Sequence, residues 1–266
     1  MDIVLCRDDT LLPSSLIFHT LADENSLILT EEHVPSFLEL DEAVISLLKM
    51  ALLYTSNVFI VTNAEVGWVE RSSKLYLPRT CELLNSIRVI SARTRYEKKH
   101  PGKPNIWKEL VFRETLHDDL LFGQVPIKLN LVSLGDSECE RIALQSMEGH
   151  FPSRTIVKSI KYVDAPTIDQ LCKEHQVILS NFDFICTSPT NLDLALQMYH
   201  TDKQAQQETI NTKRKYCHHQ KHDGKDGKSP TKQASCEHFP DVSAPHEHVP
   251  MIRQEGLSPE DSEDEQ

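Results

Sequence analysis

Four separated places in this sequence carry side chains that share a chemistry. Cys6, Asp8 and Thr10 follow one apolar run, Thr62 and Asn63 follow a second, and Lys108 stands near the start of a helical stretch. Asp136, Ser137 and Glu140 follow a third apolar run. Carboxylates are hard oxygen ligands for a cation such as Mg2+, and a hydroxyl with an ammonium can hold phosphoryl oxygens where charge develops. Asp8, Asp136 and Glu140 with Thr62 and Lys108 therefore make a magnesium-and-phosphate constellation, provided that the fold gathers the four places.

The alternation of short β-branched runs with helical patterns up to about residue 198 predicts that gathering. It is the signature of an α/β, Rossmann-like parallel sheet of about five strands, covered by helices on both faces, and ligands of such sheets bind beyond the carboxyl ends of the strands. Ile3–Leu5, Val58–Val61, Ile87–Ile90, Leu129–Leu134 and Ile156–Val163 read as strands. Apolar positions at three- and four-residue spacing predict helices over 35–54, over 66–76, from near Asn105 and over 138–147. A further helix should begin at Pro166, capped by Asp164, and residues 191–199 should close the packed region.

With the elements in place, the sequence resembles the haloacid dehalogenase superfamily of phosphohydrolases in its capless form, over roughly residues 3–163. Cys6-Arg7-Asp8-Asp9-Thr10 matches the family's first motif, Asp-x-Asp-x-Thr after an apolar strand, and Val61-Thr62-Asn63 matches the second. Lys108 matches the third, and Gly135-Asp136-Ser137-Glu138-Cys139-Glu140 the fourth. The resemblance implies a nucleophile position at Cys6 and a general acid and base at Asp8. It also implies phosphate contacts at Thr62, Asn63 and Lys108, and magnesium at the Asp8 backbone carbonyl, Asp136 and Glu140. One departure governs the function: the family's nucleophile is aspartate, and here it is Cys6, a soft ligand around a hard cation. A thiol nucleophile would need Cys-x5-Arg, whereas Leu12 lies six residues beyond Cys6 and no other cysteine has an arginine at that offset. The expectation is a degenerate site acting as a binding or regulatory module. The alternative is a magnesium-dependent phosphatase for a phosphoprotein or other large substrate. The gaps between motifs, filled by a β-flap, helices and a loop, leave no room for a large cap, and a capless site favours a protein partner.

Plainer readings accompany each motif. Thr62-Asn63 reads also as a strand end with a polar turn, and Gly135-Asp136-Ser137 as a turn whose serine caps a helix. Lys108 reads also as a solvated surface lysine and Cys6 as a small buried residue. Trp68 and Trp107 read as packing residues, and the basic run from Arg93 to His100 as a solvated loop.

Composition narrows the classes. The 266 residues carry 28 basic and 40 acidic groups, net -12, which argues against a general nucleic-acid binder. No apolar run is long enough for a membrane helix, and the start lacks the basic region of a signal peptide. Seven cysteines without a Cys-x-x-Cys pair indicate neither a disulfide scaffold nor a zinc ribbon, so reduced cytoplasm, or the nucleus, is expected. Residues 201–266 turn to Lys, Gln, His, Asp and Ser and read as a disordered tail, after an α/β domain at 1–200. The tail holds Cys217, His218, His219, His222, Cys236, His238, His246 and His248, a weak zinc set. It also holds Lys213-Arg214-Lys215 as an import signal, and Ser258 and Ser262 as acidophilic kinase sites.

Overall fold

The computed structural model describes residues 1–21, 31–121, 129–150, 155–197 and 251–254. All of them belong to one compact unit. Strand β1 (Asp2–Cys6) is fully buried and leads through a turn into the short helix α1 (Ser14–Leu16) and a π-helical turn over Ile17–Leu21. The expected β-flap is helical as far as Leu21, and its remainder lies outside the described residues. Helix α2 (Val34–Tyr54), β2 (Val58–Thr62), α3 (Trp68–Tyr76) and α4 (Pro78–Leu83) follow. Next come β3 (Arg88–Ser91), α5 (Ala92–Tyr96), α6 (Pro104–Leu121), β4 (Leu129–Gly135), α7 (Glu138–His150) and β5 (Thr155–Lys161). Helix α8 (Ile168–Thr187), β6 (Leu192–Gln197) and β7 (Met251–Gln254) complete the order.

The sheet order is β3-β2-β1-β4-β5-β6-β7. Strands β1 to β6 are parallel throughout, and β7 runs antiparallel to β6. The sheet thus has six parallel strands where about five were expected. Leu192–Gln197 supplies the sixth: Leu192, Leu194 and Leu196 alternate along it and so share the face that packs into one half of the core. Met251–Gln254, which composition assigned to the tail, supplies the seventh. The other tail residues singled out above lie outside the described residues. Among the described residues no helix is long and apolar enough to cross a membrane.

Side chains alternate across a strand, and this splits the core in two. Ile3, Leu5, Val58, Ile60, Val132, Leu134 and Ile160 pack with α2, α3 and α8 on one face. Val4, Phe59, Val61, Ile90, Leu131 and Val157 pack with α5, α6 and α7 on the other. Each fully buried aliphatic or aromatic side chain contributes roughly 1.5–3 kcal/mol. The two faces together therefore hold the strand ends in fixed register.

Two helix starts differ from expectation. Helix α8 begins at Ile168, with Thr167 accepting from the Gln170 backbone and the Gln170 side chain accepting from the Thr167 backbone. Thr167-x-x-Gln170 is thus a capping box, so Asp164 is not the cap and Pro166 precedes the helix. The basic run expected as a loop begins as α5, whose cap is Ser91, accepting from the Thr94 backbone at 3.0 Å.

Candidate functional site

Strand alternation decides which helices Cys6 meets. It points to the Val4 side of the sheet, where α6 brings Lys108 and α7 brings Glu140, and Arg7 points to the opposite side. Arg7 is buried there and donates to Ser72 Oγ at 2.9 Å and Ser73 Oγ at 3.1 Å, both on α3. Burial pushes its pKa down to about 10, against the nearby Asp8 charge. Arg7 is therefore committed to α3 and gives the thiol no hydrogen bond.

Lys108 lies one turn inside α6 and is only 2% exposed, so the solvated reading of this lysine is overturned. Its ammonium donates to Cys6 Sγ at 3.0 Å and pairs with the Glu140 carboxylate. Glu140 Oε2 in turn accepts from the Ser137 backbone at 3.1 Å and from the Ser137 hydroxyl. The Cys139 backbone donates to Ser137 Oγ at 3.2 Å, so Ser137 also caps α7. Burial pushes the Cys6 thiol up to about 11, with Lys108 opposing and Asp136 and Asp8 adding to the rise. The thiol is protonated at neutral pH and points at the Asp8 backbone carbonyl, 3.6 Å away.

Asp136 completes the cluster. Its carboxylate accepts from Thr10 Oγ1 at 3.3 Å, and burial pushes its pKa up to about 6, with Lys108 opposing. Ligand atoms of Cys6, Asp136 and Glu140 lie within 4.8 Å of one another. This donor set does not suit Mg2+: one of the three is a neutral thiol, a soft and weak partner for a hard cation. Lys108 already supplies the positive charge that Glu140 requires.

Asp8 is saturated with donors. Ser14 Oγ (2.9 Å) and Trp68 Nε1 (2.8 Å) donate to Oδ1, and Thr62 Oγ1 (2.6 Å) donates to Oδ2. Three donors, from α1, α3 and β2, hold the carboxylate in place. Thr62 is thus spent on Asp8, and its oxygen also accepts from the Ala64 backbone at 2.9 Å. Asn63 stands at the same strand end and lines a neighbouring cleft. Asp9 takes a left-handed conformation (φ 50°) and accepts from the Ser15 backbone at 2.9 Å, which turns the chain back towards Leu12.

The structure therefore brings Cys6, Lys108, Asp136 and Glu140 into one cluster, with Asp8 and Thr62 beside it. Two participants were missed. Trp68 does more than pack, because its indole N–H fixes Asp8, and Ser14 does the same from α1. A buried tryptophan needs a partner for its N–H, which is the signal that was available.

Gly135 admits Glu140 to the cluster. A Cβ at Gly135 would collide with the Cβ, Cγ and Cδ atoms of Glu140, close to the helix backbone and not at a flexible tip. Gly135→Ala is expected to displace Glu140 from Lys108 and to cost about 1–3 kcal/mol from overpacking. Chemical denaturation of the variant should show the loss. An unchanged midpoint would mean that Glu140 is not held as described.

No family model, curated protein or solved structure matches this chain.

Proposed function

We propose that the chain is a haloacid dehalogenase-like protein whose hydrolytic centre is silent and which acts as a binding or regulatory module. The observation that carries the reading is the state of Cys6. At the position from which a nucleophile would attack stands a neutral thiol, buried to 4% exposure and held by Lys108. A thiol attacks as its thiolate, and a pKa of about 11 leaves almost none at pH 7. Asp8 accepts from Ser14, Thr62 and Trp68, which hold its carboxylate in place beside the thiol. What supports the family is the order of the four motifs on a parallel sheet and their meeting at one set of strand ends.

The test is turnover of an aryl phosphate with Mg2+ by the natural protein and by Cys6→Asp. The natural protein should be inactive. The variant restores a carboxylate beside Asp136, Lys108 and Glu140 and should gain turnover, together with binding of beryllium fluoride, which mimics a phospho-aspartate. Turnover by the natural protein that Asp136→Asn abolishes would overturn the silent reading in favour of a magnesium-dependent phosphatase.

A further inference from the structure

Beside Asp8 a cleft of about 550 Å³ opens at the carboxyl ends of β1 and β2. Cys6, Lys108, Asp136 and Glu140 do not line it. Its walls include Asp9, Phe18, Glu65, Trp68, Arg71 and Arg93, and three features define what fits. Phe18 stacks on Trp68, with ring centroids 5.3 Å apart and planes inclined by 25°. Trp68 is the covered ring at 9% exposure, whereas Phe18 is 54% exposed and offers a free aromatic face.

The charges sort themselves next. Asp8 is satisfied by Ser14, Thr62 and Trp68, Asp9 by the Ser15 backbone and hydroxyl, and Arg93 by Glu97 at 2.9 Å. Glu65 stands at the exposed rim, close enough to Arg93 to share its charge. The Arg71 guanidinium remains, with neither hydrogen bond nor ion pair to any described residue, while its backbone N–H donates to the Gly67 carbonyl. It stands three residues after Trp68 on α3, and helix geometry puts such a pair on one face.

The third feature is Gly67, which has a left-handed φ of 83°. A Cβ there would come within 2.6 Å of Arg71 Nη1, so the bare backbone of Gly67 makes the space in which the guanidinium rests. A stacking face and an unpaired guanidinium on one wall favour a ligand that is both aromatic and anionic, and guanidinium is the group best shaped to pair with a phosphate.

We infer that this cleft binds an aromatic ring bearing a phosphate and presented on a polypeptide, the chemistry of a phosphotyrosine side chain. The ring stacks on Phe18 and the phosphate pairs with Arg71. Val66, 68% exposed and anchored through its backbone N–H to Thr94 Oγ1 at 3.0 Å, adds apolar surface for the flanking residues of a peptide. A mononucleotide has no group to use that surface, and the net charge of -12 disfavours a nucleic-acid strand. The inference goes beyond the silent-centre reading: of the residues assigned to that centre only Asp8 and Asn63 line the cleft, and the proposed contacts are made by Phe18 and Arg71, which have no part in it.

Tryptophan fluorescence and calorimetry, with no added metal, test it. The probes are a short phosphotyrosine peptide, its unphosphorylated and phosphoserine counterparts, and adenosine monophosphate. The phosphotyrosine peptide should bind saturably and perturb Trp68 emission, and the phosphoserine peptide should bind about tenfold more weakly for lack of a stacking ring. Phe18→Ala should remove that tenfold preference and leave phosphoserine binding unchanged. Arg71→Gln should weaken the phosphotyrosine peptide at least about tenfold, as loss of a charge-assisted pair does. Both positions are exposed, so the variants keep the fold. Equal binding of the phosphorylated and unphosphorylated peptides, indifference to Arg71→Gln, or tighter binding of the nucleotide would each overturn the inference. Failure of Cys6→Asp to gain turnover bears on the silent centre alone.

Discussion

Replacing Lys108 with methionine is expected to lower the stability of the protein by about 3–5 kcal/mol, the usual result of removing one partner of a buried ion pair. Glu140, 3% exposed, would lose its ammonium partner and be left buried with only the Ser137 donors. In a protein of this size each kcal/mol moves the melting temperature by roughly 2–4 °C, so the loss should be read as a fall of about 10 °C. Lys108→Met combined with Glu140→Gln should recover most of it, because no uncompensated charge then remains. A double-mutant cycle would show strong coupling between the two residues. If the two single losses simply add, Lys108 and Glu140 do not hold each other and the cluster has been misread.

The second large effect is a pH dependence centred on α8. Glu174 is fully buried, and its Oε1 accepts from the Val163 backbone at 2.8 Å while Oε2 has no hydrogen-bond partner. Burial pushes its pKa up to about 8, against the Val163 hydrogen bond. Its neighbour His175 is also fully buried, shares a 3.3 Å contact between Nδ1 and the Tyr162 hydroxyl, and is pushed by burial down to about 3. The two residues have opposite signs. The folded state holds the Glu174 proton over a range where the unfolded chain has released it, so stability falls as pH rises from about 4.5 to about 8. The folded state keeps His175 neutral where the unfolded chain is protonated, so stability falls as pH drops from about 6.5 to about 3.

Between pH 6.5 and 8 only the glutamate of this pair contributes. At about 1.4 kcal/mol per pH unit, the protein should lose about 2 kcal/mol across that window. Glu174→Gln keeps an acceptor for Val163 and carries no charge. Its stability should be flat over the same window and should exceed that of the natural protein at pH 8. Equilibrium denaturation at several pH values provides the measurement, and parallel slopes for the two proteins would refute the assignment.

Much of the frame was legible in the sequence because it is encoded locally. Val58-Phe59-Ile60-Val61 has the continuous apolar run expected of a strand buried on both faces, and the apolar spacing from Phe37 to Leu52 specifies one long helix. The meeting of Asp136 and Glu140 with Cys6 followed from the rule that parallel strands end together. What the sequence did not disclose is set by partners far along the chain. Lys108 looks like any helix lysine until α7 places Glu140 against it. Trp68 is sixty positions from Asp8 and only the sheet order brings them into contact. The capping box at Thr167 and Gln170 is local, but Asp164 two residues before Pro166 offers a competing cap signal in the sequence. The strand at Met251–Gln254 had no signal of its own, since four residues in a polar stretch acquire β-structure only from the edge they join.

That last strand has a consequence for how the molecule is made. Met251 follows Gln197 by 54 positions, yet the two are register partners. During synthesis the six parallel strands and the whole Cys6 cluster leave the ribosome well before the residues that cover the flank of β6. Until those residues arrive, β6 presents a row of unpaired backbone groups, the kind of edge to which another extended chain can attach. From the emergence of Gln197 to that of Met251, the border of the sheet has no partner strand of its own chain to close it.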